Sequence, residues 1–283
     1  MKQKVYLNGE IIPREKATID IEDRGYQFAD GVYEVIAIYQ GKPFKLTEHL
    51  ERLVFSAAEL EIDCPPLEKL EQECQRYLAS TDYSQQNGKI YLQLTRGVCS
   101  RTHAYPDGLE SVLVMKAGPL GEKPESYFKE GVKIIIRPDE RWSRCYVKSI
   151  ALLPNIMAKK EAKREAAYET VMERDGFITE GSSANVFIVE KGTLITPPAT
   201  NYILKGITRQ TVIEDIAPQK GLEVKEESIA LTRFLAADEI FLTGTTTEVM
   251  PVIQVNDKEV AKGQVGDVTQ TLYQAYRQLT RSQ

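Results

Sequence analysis

The chain holds a handful of residues whose type and setting could do chemistry. Lys148 stands in Cys145-Tyr146-Val147-Lys148-Ser149-Ile150-Ala151-Leu152-Leu153, an apolar stretch that leads into a proline-started helix. Burial penalises an ammonium and lowers its pKa, and a neutral amine is what Schiff-base chemistry needs. A lysine on the solvent face of a strand, or one snorkelling past its neighbours, fits the same letters. Glu180 lies in Phe177-Ile178-Thr179-Glu180-Gly181-Ser182-Ser183-Ala184-Asn185-Val186-Phe187, a polar Gly/Ser segment between two apolar strands. A carboxylate there could pair with a cationic ring nitrogen. A solvated turn is the plainer reading.

Other segments suit anions. Leu204-Lys205-Gly206-Ile207-Thr208-Arg209 precedes a helix holding Val212, Ile213 and Ile216. Gly206 admits close approach of the backbone to a ligand, Thr208 can cap the helix, and the free N–H groups at its start can bind an anion. Thr243-Gly244-Thr245-Thr246-Thr247 offers more hydroxyls and amides. Capping and turn formation explain each cluster alone; both beside a basic residue would make a phosphate site. Arg52 follows His49 on one helical edge and could clamp a phosphate bidentately. The glutamates around it allow a helix-surface ion pair instead. In Thr95-Arg96-Gly97-Val98-Cys99-Ser100-Arg101-Thr102-His103, Arg101 and His103 would point the same way if the segment is extended, and arginine suits a carboxylate ligand. A solvated loop fits that segment as well.

Several function classes lose their signals. The sequence has no G-x-G-x-x-G, no Walker loop, no G-x-S-x-G elbow and no H-E-x-x-H. Four cysteines without a CxxC pair, and only 2 histidines, make a metal site an unsupported reading and imply no disulfides. Lys and Arg total 36 against 41 Asp and Glu, a net charge of −5, which argues against nucleic acid or an anionic membrane as partner. No apolar run is longer than Val35–Tyr39, and the N-terminus lacks a signal peptide's apolar centre, so a cytoplasmic protein is the expectation.

The elements that must position these residues follow from pattern. Strands flank the Asn8-Gly9 turn, and two more flank Gln40-Gly41 across residues 31–46. One amphipathic helix begins near Thr47 and carries Leu50, Leu53, Val54, Ala57 and Ala58. The next carries Leu67, Leu70, Cys74, Tyr77 and Leu78. Strands around Ile90–Leu94 and Val112–Met115 complete a β-β-β-β-α-α-β-β order, which is α+β rather than doubly wound. Ala117 to Pro124 has the Gly/Pro content of an interdomain connection. Beyond it, pattern gives a strand at 132–136, a helix from about Pro154 to Ala167, strands around 168–173 and 184–189, a helix from about Thr208, a strand at Glu239–Thr243 and a closing helix through Val268–Leu279. The division predicted is an N-terminal α+β domain over 1–117, a linker over 118–124 and a C-terminal α+β domain over 125–283 that carries Lys148.

The order of motifs adds a resemblance. D-R-G-Y-Q-F-A-D-G-V-Y-E (23–34), H-L-E-R-L (49–53), T-R-G-x-x-x-R-x-H (95–103), K-S-x-x-L-L (148–153), E-G-S-S-A-N-V-F (180–187), L-K-G-I-T-R (204–209) and the Thr cluster with Glu248 and Pro251 occur in that order. Over nearly the whole chain this resembles the class-IV aminotransferases, the fold-type-IV pyridoxal-phosphate enzymes, and within them the D-amino-acid (D-alanine) aminotransferase branch. The resemblance implies two α+β domains with the cofactor, pyridoxal 5'-phosphate, at their interface. It implies that Lys148 forms the Schiff base and shuttles the proton, and that Glu180 keeps the pyridine nitrogen protonated. Arg52, Ile207, Thr208 and Thr245 would hold the phosphate, Leu204 would pack on the ring, and Tyr33 would line the substrate side. Arg101 and His103 would trap the substrate α-carboxylate, reaching the partner's site in a homodimer.

The reaction so implied is ping-pong transamination between D-amino acids (D-alanine, D-glutamate) and 2-oxo acids (2-oxoglutarate, pyruvate). Branched-chain L-aminotransferase, (R)-amine transaminase and aminodeoxychorismate lyase are the alternatives on the same fold, and the R-x-H element disfavours them. A non-catalytic protein that binds a phosphate ligand is the alternative from another class.

Overall fold

The Asn8-Gly9 pair takes left-handed backbone angles, φ 45° and 93°, which two successive strands need to turn back on each other. It joins β1 (Lys4–Leu7) to β2 (Glu10–Pro13) in a computed structural model that describes residues 3–121 and 123–282. The chain divides into two compact units. One runs to Gly121 and takes in Val147–Ala151; the other holds the residues up to Tyr146 and Leu152–Ser282. Lys148, expected in the C-terminal half, therefore belongs to the first unit. The reason is backbone pairing. Tyr33 N–H donates to the Lys148 carbonyl at 3.0 Å and Ile150 N–H to the Gly31 carbonyl at 3.0 Å.

After β2 the first unit continues with α1 (Arg24–Phe28), β3 (Gly31–Tyr39), β4 (Lys42–Pro43), α2 (Leu46–Glu59), α3 (Leu67–Ala79), β5 (Gly88–Thr95) and β6 (Val112–Gly118). The sheet order is β2-β1-β6-β5-β3-β4, antiparallel throughout. The inward residues Val32, Ile36 and Ile38 of β3 are fully buried, as are Leu50, Leu53 and Ala57 of α2 and Leu70, Cys74 and Tyr77 of α3. Period two meeting period 3.6 in this way makes one layer of helix on one layer of sheet. Ala58 of the expected helix face is exposed instead. Two further expectations need correction. The short helix α1 interrupts the run of strands, and Ala117-Gly118 belong to β6 rather than a linker, because the β5 ladder runs on to Lys89↔Gly118. Glu122, inside the expected linker, lies outside the described residues.

The second unit is also α+β. It holds α4 (Glu125–Glu130), β7 (Val132–Pro138), α5 (Leu153–Arg164), β8 (Glu169–Arg174), β9 (Phe177–Gly181), β10 (Asn185–Glu190), β11 (Thr193–Thr196), α6 (Ile207–Gln210), β12 (Val224–Glu226), β13 (Ile229–Ala230), β14 (Glu239–Gly244), β15 (Glu248–Val255) and β16 (Lys258–Glu259), and ends in the helix Asp267–Arg281. The sheet order is β12-β11-β10-β14-β15-β7-β8-β9-β13, with β16 on β15. Three of its pairs are parallel: β11 with β12, β15 with β7 and β7 with β8. Ile134, Val171, Ile188, Leu242 and Met250 fill its core. Sequence pattern carries α5 three residues too far and misses β9 and β15. In β15, Pro251 pairs with Phe241 of β14, while pairing with β7 starts only at Val252, so the missing N–H is not needed on that side.

Candidate active site

In the first unit, the site grows from β3. Its two neighbours β5 and β4 leave the Gly31–Tyr33 edge open, and the segment Val147–Ile150 fills it through the Val32↔Ser149 bridge. Lys148 is held at both backbone groups: its N–H donates to Ser56 Oγ at 3.2 Å and its carbonyl accepts from Tyr33. Its Nζ stands 4.4 Å from the centre of the Tyr33 ring. The residue is half-buried, less enclosed than the apolar sequence around it suggests. Lys148 and Tyr33, expected in one site, are brought together.

Glu34 alternates out of phase with Tyr33 and so points into the core between Val32 and Ile36, fully buried. A lone carboxylate could not stay ionised there. Arg52 Nε donates to Glu34 Oε1 at 2.6 Å and Nη2 to Oε2 at 2.9 Å, and His49 Nδ1 lies 2.7 Å from Oε2. Burial pushes the Glu34 carboxyl up, but the charge of Arg52 and the hydrogen bonds from Arg52 and His49 outweigh it and hold it well below the carboxylate range. Burial lowers His49 in spite of Glu34, so at neutral pH it is uncharged and its Nδ1–H is the donor. Arg52 leans inward, as a phosphate clamp must, but its fork grips a strand carboxylate. Sequence reading passed over Glu34, although a glutamate at an inward position of an apolar strand was its signal.

Arg101 and His103 lie on the exposed loop after β5 and meet on one ring. The Arg101 guanidinium is 4.8 Å from the Phe28 centroid, and the His103 ring packs edge-on to Phe28 at 5.7 Å.

In the second unit, Glu180 sits on β9, not on a turn, and is buried. Between the pairs Val171↔Gly181 and Glu173↔Ile178, β9 carries one residue more than β8. Such a bulge breaks strict alternation, so the consecutive residues Thr179 and Glu180 both reach Arg141. Arg141 Nη1 donates to Glu180 Oε1, while its Nε and Nη2 bind Asp139 at 2.9 and 2.8 Å. Glu180 Oε2 accepts from Asn185 Nδ2 at 2.9 Å and from the Leu204 N–H at 3.1 Å. Burial raises the Glu180 carboxyl above its ordinary value, and Arg141 opposes that without cancelling it. Asn185 Nδ2 also donates to the Leu204 carbonyl at 2.8 Å. Arg141 was missed because nothing in its local sequence marks it.

Leu204 is therefore tied to Glu180 by backbone, and the chain passes Gly206 into α6. A Cβ on Gly206 would lie 2.0 Å from Asn185 Oδ1, so any larger residue here requires Asn185 to move. No side chain caps α6, which leaves the amides at Ile207 and Thr208 among those a helix start cannot satisfy internally. Thr208 is buried and Ile207 half-buried. Thr245 is half-buried on the turn between β14 and β15. Thr243, register partner of Asn185, has a buried Oγ1 with no partner among the described residues.

Each unit by itself carries groups that suit a phosphorylated pyridine aldehyde: the first a lysine amine over an aromatic ring, the second a buried carboxylate held by three donors and an uncapped helix start. The chain belongs to the amino-transferase class IV family, which it matches over residues 31–255. It is 42% identical to the D-alanine aminotransferase of Listeria monocytogenes serotype 1/2a (strain 10403S), over 99% of this chain and 97% of that one. Among solved structures it is similar to the Escherichia coli branched-chain amino acid aminotransferase, with TM-score 0.92 and 25% identity, covering 100% of this chain and 96% of that one. It is also similar to the branched-chain amino acid aminotransferase of Thermobaculum terrenum in its PLP form, with TM-score 0.88 and 26% identity, covering 100% and 95%. The protein is an aminotransferase whose cofactor is pyridoxal 5'-phosphate. The residues present fit that group: Glu180 Oε1 takes one donor and has room for another, and the α6 amides suit a phosphate. No helix is long and apolar enough to cross a membrane among the described residues.

Proposed function

We propose that the chain transfers amino groups between D-amino acids, D-alanine and D-glutamate first, and 2-oxo acids such as 2-oxoglutarate and pyruvate. The observation that carries this reading is similarity to D-alanine aminotransferases along nearly the full chain. Arg101 and His103 set on one ring support it. Bound pyridoxal phosphate supplies the electron sink for loss of the substrate Cα proton. Lys148 Nζ would hold the cofactor at its carbonyl carbon until the substrate amine displaces it, and the amine so released would carry the proton to and from Cα. Glu180, pushed up by burial, shares a proton with the ring nitrogen, and Arg141 and Asn185 keep its two oxygens in place. The backbone of Ile207 with Thr208, Thr245 and Arg52 holds the phosphate; Leu204 packs on the ring and Tyr33 lines the substrate side. Arg101 and His103 grip the α-carboxylate, donated by the partner subunit of a cytoplasmic homodimer. Fixing the carboxylate there lets only one enantiomer aim its Cα–H at Lys148.

The test is the visible absorbance of the cofactor-loaded protein, titrated with D-alanine and with L-leucine. D-alanine alone should bleach the band, and Lys148→Ala should abolish both the band's native position and turnover. Bleaching by L-leucine alone would assign the chain to the branched-chain enzymes.

A further inference from the structure

We propose that Arg24 is a positioning residue for substrate binding, clamping from beneath the loop that presents Arg101 and His103. The inference rests on the reading of those two residues as the carboxylate trap. Residues 99–105 form neither helix nor strand, so side chains must fix where the loop lies. Arg24 supplies such a tie. It opens α1, whose start is capped by Asp23, the acceptor for Gly25 N–H at 2.8 Å, and it is buried. Its Nη1 donates to the Thr102 carbonyl at 2.7 Å, midway between the two trap residues, and its Nη2 stands 3.5 Å from the His103 carbonyl. The guanidinium also packs on Phe28 at 4.8 Å, the ring that carries Arg101 and His103. A charge-assisted hydrogen bond to a loop carbonyl, backed by a shared aromatic shelf, fixes both position and direction.

Asp30 explains why this role can be separated from folding. It accepts from Arg24 Nε at 2.8 Å, but also from Arg96 Nε at 2.8 Å and Arg96 Nη2 at 3.0 Å. Arg96 in turn donates to the carbonyls of Leu60 and Glu61 and stacks on Tyr105 at 3.7 Å. Arg96 thus ties Asp30 to the turn after α2 and to Tyr105 at the end of the loop, and Arg24 ties it to the middle of the loop at Thr102. Removing Arg24 leaves the Asp30 charge still compensated.

The experiment uses the cofactor-loaded enzyme. Arg24→Met should raise KM for D-alanine about tenfold, the scale of one charged hydrogen bond, with kcat within about twofold. The cofactor band and the unfolding midpoint should hold, while amide hydrogen exchange quickens in 99–105 and not in β3 or β5. Arg24→Lys should restore part of the KM, because an ammonium can still reach the Thr102 carbonyl or Asp30. In an Arg101→Ala background, Arg24→Met should add no further rise in KM. An unchanged KM in Arg24→Met, or a rise that multiplies fully with that of Arg101→Ala, overturns the inference while the carboxylate trap stands. An unchanged KM in Arg101→Ala removes the trap itself and the inference with it. If Arg24→Met does not fold, exchange and KM in Arg24→Lys decide: wild-type values for both overturn the inference.

Discussion

Replacing Glu34 with glutamine should cost more stability than its conservative shape suggests. The side chain is fully buried, and Arg52, with 11% of its side chain exposed, places two donors on it. Glutamine keeps one acceptor oxygen and turns an amide N–H₂ toward a guanidinium or imidazole N–H. Breaking a buried ion pair costs about 3–5 kcal/mol, and the partial exposure of Arg52 puts this case near 3. At about 2–4 °C per kcal/mol for chains of this size, the unfolding midpoint should fall by about 6–12 °C at pH 7. Because the folded carboxyl is held below its ordinary value near 4.5, its stabilisation is complete above that pH and drains away as pH falls beneath it. His49, lowered by burial, acts in the same direction from a higher pH: the unfolded chain binds its proton first, so stability falls on acidification below about 6.5. Thermal unfolding by circular dichroism at pH 7 and pH 4 tests this. The gap between Glu34→Gln and the parent should be large at pH 7 and narrower at pH 4. The double change Glu34→Leu with Arg52→Met should unfold later than Glu34→Gln, since no orphaned charge remains. A midpoint shift under about 2 °C at pH 7, or a gap that ignores pH, would refute the reasoning.

Gly206→Ala should push Asn185 off both Glu180 and Leu204, because the new Cβ would sit 2.0 Å from Asn185 Oδ1. Overpacking of this kind costs about 1–3 kcal/mol, and pyridoxal phosphate titration should show weaker cofactor binding; parental affinity would mean that Asn185 can move freely. Burial pushes the thiols of Cys74 and Cys145 up to about 12 and about 11. Neither should react with Ellman's reagent at pH 8 until the protein is unfolded. Labelling of either in the native state, read by mass spectrometry, would show that its surroundings open.

Local sequence was enough for what depends on local sequence. Turn residues fixed Asn8-Gly9, and apolar periodicity fixed α2, α3 and the strands β3 and β5. Glycine and threonine spacing singled out the start of α6. The candidate residues Lys148, Glu180, Arg101 and His103 could be named from their chemistry and from the order of the motifs that hold them. Only the fold supplied their partners. The tie of Lys148 to β3 joins residues more than a hundred positions apart in the chain. A bulge on β9 decides that Glu180 faces Arg141, and no composition signals a bulge. Arg52 could be read as a clamp, but the carboxylate it grips comes from a strand 18 residues earlier. Periodicity is a property of one element and is legible in its letters. The pairing of a buried charge depends on which elements the sheet register brings side by side, and that is decided only when the whole domain packs.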